Sequence, residues 1–162
     1  MTHHVLQRRI ETPLGPLTAA RSATGLSGLW FDGQKHLPGA LAVPEDDGSD
    51  PVLSATATAL AAYFSGKPFD MPPLDPAGTV FQREVWQALL SIVPGTPDTY
   101  GHLAERLGRA QAARALGAAV GRNPISILIP CHRVVGADGS LTGYAGGLDR
   151  KQALLALEGC TA

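Results

Sequence analysis

Glycine and proline set the limits on what this chain can build. The sequence holds 19 Gly and 13 Pro in 162 residues. Proline removes a backbone donor and glycine closes helices and turns, so regular elements here must be short. No window approaches the ~20 apolar residues of a membrane span. The breakers are densest at 67–78, where four Pro and one Gly read as a linker. That placement predicts two domains, 1–78 and 79–162.

The two halves carry different patterns. Val5 to Ile10, Leu17 to Ala20 and Leu26 to Phe31 are short β-type runs separated by turns, the first being Thr12-Pro13-Leu14-Gly15-Pro16. They predict an antiparallel sheet. Residues 36–51 read as a polar loop. Leu53, Ala57, Leu60 and Phe64 recur at helical spacing over 52–64, with Gly66 as the stop. Beyond the linker, Thr79 and Gln82 form a capping-box pattern ahead of a helix carrying Phe81, Val85, Ala88 and Leu89. Two further helices are predicted, Tyr100 to Leu107 and Gln111 to Val120. They are joined at Gly108, the spacing of either a helix-turn-helix or an ordinary helical hairpin. The chain as a whole reads as α/β, of the α+β kind.

Composition narrows the class. Apolar residues make up 44% and charged residues 17%, which supports a buried core and excludes a disordered chain. Cys131 and Cys160 are too few for a disulfide scaffold or a four-thiolate zinc site. With no long apolar run from Met1 to Ile10, no signal peptide is expected, and the expected setting is a reducing cytoplasm. Charge is uneven. Residues 1–78 hold five Lys and Arg against eight Asp and Glu, whereas 79–162 hold eight against six. Within 101–133, Arg106, Arg109, Arg114, Arg122 and Arg133 face one acid, Glu105. Such a patch suits phosphate contact or is a solvated face.

The helix predicted at 111–120 is lined by Ala112, Ala113, Ala115, Gly117, Ala118 and Ala119, with Arg114 as its one long side chain. Small residues permit close approach, either to a neighbouring helix or to a groove about 6 Å wide such as the DNA minor groove. Ile125 to Ile129 reads as a buried strand. It ends at Pro130-Cys131-His132-Arg133. A cysteine beside a histidine is a nucleophile candidate, because an adjacent base supplies the reactive thiolate. Neighbouring side chains on extended backbone point apart, so a bridging water between them is plausible.

Asn123-Pro124 through Pro130-Cys131-His132-Arg133-Val134-Val135, then Gly143-Tyr144-Ala145-Gly146-Gly147 and Leu154-Leu155-Ala156-Leu157-Glu158-Gly159, resembles the O6-alkylguanine-DNA alkyltransferases, also called methylated-DNA–protein-cysteine methyltransferases. The likeness is strong over 79–162. It is weaker in Thr12-Pro13-Leu14-Gly15-Pro16-Leu17 and Ala62-Tyr63-Phe64-Ser65-Gly66. The resemblance implies an N-terminal ribonuclease-H-like sheet domain with a helix. It implies a C-terminal helix-rich, winged-helix-like domain with a helix-turn-helix.

The resemblance also assigns roles. Cys131 accepts an alkyl group from O6 of guanine in an irreversible, single-turnover reaction, with O4-alkylthymine as a further substrate left open. His132 is the base and Glu158 its orienting carboxylate. Tyr100 donates toward N3 of the leaving base. Asn123 ties the groove-binding helix to the segment carrying Cys131, a place that also suits a helix C-cap. Arg114 is the finger that replaces an extruded nucleotide, with Ala113, Ala115, Gly117, Arg122 and Tyr100 along the DNA. Val134, Tyr144, Ala145 and Gly146 line the base pocket, where some relatives carry Ser at the Ala145 position. No cofactor or metal is implied. The implied partner is double-stranded alkylated DNA held by its minor groove, with no membrane, and a monomer is expected with cooperative assembly on DNA left open. Two other readings are weaker. Binding-only relatives lack the acceptor cysteine that this chain has. A Cys-His hydrolase or zinc deaminase would need an oxyanion loop or a cysteine pair that is absent from the sequence.

Overall fold

The computed structural model describes residues 3–160. Backbone contacts divide the chain into two units. One runs to Ala77 and takes in Pro124–Leu128; the other holds Gly78–Asn123 and resumes at Ile129.

In the first unit, Thr12 closes the opening turn. Its Oγ1 accepts from Leu14 N–H at 3.2 Å and donates to the Gly15 carbonyl at 2.6 Å. Gly15 has a φ of 109°, which a side chain would oppose. This turn joins β1 (Leu6–Ile10) to β2 (Leu17–Arg21), and β3 (Leu26–Phe31) completes an antiparallel sheet in the order β1-β2-β3. Ile10 pairs with Leu17, and Leu17 with Phe31. Helix α1 (Pro51–Phe64) begins on Asp50, whose carboxylate accepts from Leu53 N–H at 2.9 Å, with Pro51 in the first turn. It buries Val52, Leu53, Thr56, Ala59 and Leu60.

All six residues of β3 are buried, although the sheet order places β3 at an edge. Two segments cover that edge. Leu26 N–H donates to Pro73 O and Asp75 N–H to Leu26 O, each at 2.7 Å. Farther along, Leu29 N–H donates to Pro124 O at 2.8 Å and Ser126 N–H to Leu29 O at 2.9 Å. Segment 67–78, expected as a linker, therefore pairs with the sheet around Leu74. Proline suits this place, since it can present a carbonyl to an edge without needing a donor.

The strand expected over Ile125–Ile129 is not formed. Ile125 makes an isolated bridge to Leu29, and the chain then turns through 126–128, with Leu128 N–H on Ser126 O at 2.8 Å. Ile127 sits at φ 71°, a strained value for a β-branched residue. Burial of Ile125, Ile127, Leu128 and Ile129 holds the turn in place. An apolar β-branched run signals burial, which a packed turn satisfies as well as a strand does.

In the second unit, α2 (Val80–Leu89) starts on a complete capping box between Thr79 and Gln82. Its Trp86 indole N–H donates to Ala119 O at 2.8 Å. Residues Asp98–Thr99 (β4) pair in parallel with Val134–Val135 (β5). Thr99 caps α3 (Tyr100–Arg106) by accepting from His102 N–H at 3.1 Å. The next helix begins later than expected. A 3-10 turn occupies Ala110–Ala112, and α4 spans Ala113–Gly121. No side chain caps either start, so the tighter turn carries the chain into the helix. Helix α5 (Leu148–Leu157) follows Gly147, whose φ of 96° lies outside the range most side chains tolerate. Among the described residues, no helix is long and apolar enough to cross a membrane.

Candidate active site

Cys131 opens a 3-10 turn, Cys131–Arg133, that leads directly into β5. The free thiol is 6% exposed. Burial pushes its pKa up, while a hydrogen bond from the Asn123 side chain and the Lys151 charge act against that rise. The net direction is upward, so the thiol is neutral at pH 7 and needs a base to become a nucleophile. Asn123 also donates from Nδ2 to Ile129 O at 2.8 Å. It lies one residue past the C-cap of α4, which is Arg122, so its amide acts by linking rather than by capping.

His132 is fully buried. Its Nε2 lies 2.7 Å from Glu158 Oε2. A carboxylate accepts, so Nε2 carries the ring proton and Nδ1 is left as the acceptor. Nδ1 has no hydrogen-bond partner among the described residues. Burial lowers the His132 pKa; Glu158 opposes this, and the charges of Arg133 and Lys151 add to it. The ring is thus a neutral base at neutral pH. Tyr144 meets it edge-on, with ring centroids 6.4 Å apart.

Two residues of this cluster were not recognised as such in the sequence. Arg133 was counted with the surface charge, yet its side chain is 11% exposed. It donates from Nε to Glu158 Oε1 at 2.8 Å, from Nη2 to Oε2 at 3.0 Å, and from Nη1 to Ile92 O at 2.7 Å. Lys151 is fully buried on α5. Its Nζ donates to Val134 O at 2.6 Å and Thr142 O at 3.0 Å, bracing β5 to the following loop. No carboxylate pairs with it among the described residues. Burial lowers its pKa to about 8, and the nearby thiol acts in the other direction. The clue to Arg133 was a basic residue next to a candidate catalytic pair; Lys151, beside Arg150 on a helix, offered none.

The remaining candidates fall into two places. At the start of β5 and on the loop that follows, Val134 and Gly146 are buried, Tyr144 is 9% exposed and Ala145 is half-buried. Arg150 Nη1 donates to Gly146 O at 3.1 Å. Tyr100 Oη accepts from Thr142 Oγ1 at 3.2 Å, which joins the start of α3 to this loop. Along α4, Ala113, Arg114 and Ala115 are exposed, as is Arg122 just past its end. Gly117 brings the α4 backbone to the Tyr100 ring, where an added Cβ would lie 4.0 Å away.

The arginine patch is smaller than its composition suggested. Arg106 pairs with Asp98 at 2.9 Å and Arg109 with Glu84 at 3.3 Å. Arg109 also lies over the Phe81 ring. Both acids come from outside the 101–133 window, and Arg133 is held by Glu158. Among the described residues, only Arg114 and Arg122 of the five make no ion pair.

Family models match both units. The 6-O-methylguanine DNA methyltransferase DNA binding domain covers residues 80–160, and the ribonuclease-like domain of the same name covers residues 5–75. The chain belongs to the 6-O-methylguanine DNA methyltransferase family. Within this family it is 46% identical over 153 residues to a methylated-DNA–protein-cysteine methyltransferase of Mycobacterium tuberculosis (strain ATCC 25618 / H37Rv), covering 93% of this chain and 90% of that one. A protein of the same name from Methanosarcina barkeri is 47% identical, covering 92% and 94%. The fold matches the crystal structure of Mycobacterium tuberculosis OGT in complex with DNA, with a TM-score of 0.86, 46% identity, and coverage of 95% of this chain and 92% of that one.

Proposed function

We propose that this chain is a methylated-DNA–protein-cysteine methyltransferase that repairs O6-alkylguanine in double-stranded DNA by moving the alkyl group to Cys131, once per molecule. One observation carries the reading. A buried neutral thiol stands next to a buried histidine whose Nε2 is fixed on a carboxylate and whose Nδ1 is free to accept. This is acid–histidine–nucleophile logic with sulfur in place of oxygen.

The proton of Cys131 passes through a water to His132 Nδ1. The thiolate attacks the alkyl carbon, a C–S bond forms, and the C–O6 bond breaks with its electron pair going to the base. Tyr100 supplies a proton to N3, so guanine leaves neutral. The Tyr100 hydroxyl and the imidazolium then return to their resting states by proton exchange with solvent. No redox step occurs, and the alkylated base is itself the electrophile. The product thioether resists water, which makes the reaction irreversible.

The alkyl carbon lies inside a duplex, so the base must swing out, at a cost of a few kcal/mol. Arg114 fills the gap, and the small residues Ala113, Ala115 and Gly117 let α4 enter the minor groove. Arg122 contacts phosphate. The loop around Tyr144, Ala145 and Gly146, with Val134, encloses the base. The protein acts as a monomer in the cytoplasm.

Intact mass after incubation with O6-methylguanine DNA tests this reading. The expected result is a gain of one methylene, mapped to the Cys131 peptide and lost in Cys131→Ala. Modification at Cys160, or repair by the Cys131→Ala protein, overturns it.

A further inference from the structure

Among the described residues, Glu158 is the carboxylate that both His132 and Arg133 bind, and it gives Arg133 more contacts than it gives His132. The guanidinium spans both carboxylate oxygens, while the imidazole reaches only Oε2. The third arm of Arg133 is tied to the Ile92 carbonyl just past the end of α2, so the guanidinium cannot follow the carboxylate if it swings away. All three side chains are nearly or wholly buried.

We infer that Arg133 is a positioning residue for alkyl transfer: its two-point hold on Glu158 keeps His132 neutral, with the proton on Nε2 and Nδ1 open to the thiol proton. The inference rests on His132 being the base for Cys131. A buried carboxylate facing a lone imidazole stabilises the imidazolium, which has already taken its proton and cannot accept another. Arg133 spends the charge of Glu158 before His132 can use it. It also adds a like charge close to the ring, which opposes imidazolium formation until thiolate appears nearby.

The other groups facing His132 do not reverse this direction. Glu158, from the end of α5, favours the imidazolium. Lys151, from within α5, opposes it, and does so equally with or without Arg133, because its ammonium is satisfied by the Val134 and Thr142 carbonyls. Cys131 is neutral at rest, and the Tyr144 ring stands at 81° to the imidazole. Removing the guanidinium therefore leaves Glu158 with His132 as its principal partner, and His132 takes up a proton at higher pH.

The test is a ring-nitrogen NMR titration of His132 in the unreacted full chain, for the natural protein, Arg133→Met and Arg133→Lys. It is run beside the pH dependence of Cys131 alkylation by free O6-benzylguanine. In the natural protein His132 shows the neutral Nε2–H form at neutral pH, its titration lying below that of an ordinary histidine. Arg133→Met moves its titration, and the acid limb of the rate profile, up by about one unit or more. Arg133→Lys keeps the charge but loses the fork, and falls between the two. Should Arg133→Met not fold, the shift in Arg133→Lys alone decides the matter. An unchanged His132 titration in a folded variant overturns the inference, as does a Lys variant that loses rate with no movement of its pH profile. Failure of the natural protein to alkylate Cys131 would instead strike the proposed function, since the titration is read before any transfer.

Discussion

The two units handle buried charge in opposite ways. In the sheet-bearing unit, part-buried ion pairs are matched one to one. Arg8 pairs with Asp46 and Arg21 with Asp50 at 2.8 Å, and its fully buried polar groups, such as Ser22, Ser27 and Thr56, are all neutral. In the thiol-bearing unit the pairing is uneven. One carboxylate serves both Arg133 and His132, and a buried ammonium, Lys151, is left with carbonyls alone. Matched pairs stabilise a fold and leave no group ready to change its protonation. Uneven pairing leaves a neutral imidazole with an open Nδ1 and a buried cation that acts on the thiol, an arrangement suited to chemistry more than to stability.

Four substitutions test that contrast. Glu158→Gln has the largest expected effect. It removes the negative charge that stabilises the His132 imidazolium and holds Arg133, and transfer to Cys131 falls about 10²-fold or more. A single-turnover rate within a factor of two of the natural protein would detach Glu158 from the relay. Arg114→Ala, which touches nothing at the thiol, slows transfer from duplex DNA roughly tenfold or more relative to transfer from free O6-benzylguanine. Equal losses on both substrates would end its role as a finger.

Lys151→Met should lower the rate at pH 7 by about tenfold, because the thiolate loses a cation whose charge favours it. This variant also reads on stability. Folded Lys151 titrates near 8, below the 10.5 of an ordinary lysine, because burial disfavours its charge. Between those values the unfolded chain binds more protons than the folded one, so the natural protein gains stability as pH rises. Its melting temperature relative to Lys151→Met should climb from about pH 8 to 10.5, and a flat difference would refute the burial of a charged amine. The smallest effect is expected in the matched unit. Asp50→Ala removes the α1 cap and the partner of Arg21, costing roughly 1–2 kcal/mol by denaturant titration, with transfer to free O6-benzylguanine unchanged.

Local signals were legible in the sequence, and non-local ones were not. The Thr79–Gln82 cap and the three strands depend on neighbours a few residues apart, and they formed close to where the pattern placed them. The contact of His132 with distant Glu158 was legible through one long motif. Pairing of the proline-rich segment with Leu26, and of Pro124 and Ser126 with Leu29, joins positions far apart in the chain, and no local pattern encodes it. The same holds for the arginines, since Asp98, Glu84 and Glu158 all lie outside the window that made the patch look strongly basic. Lys151 was hidden for a related reason. A lysine reads as solvated until a strand carbonyl and a loop carbonyl are known to converge on it.

The hydrogen bond from Trp86 to the Ala119 carbonyl turns a packing contact into a gauge. An indole sealed against the far end of the small-residue helix emits according to how firmly that bond is held. A displacement of the α4 backbone at Ala119 would change the polarity this ring senses. Emission from Trp86, separated from that of Trp30 by substituting the latter, is therefore expected to report on the packing of α2 against α4.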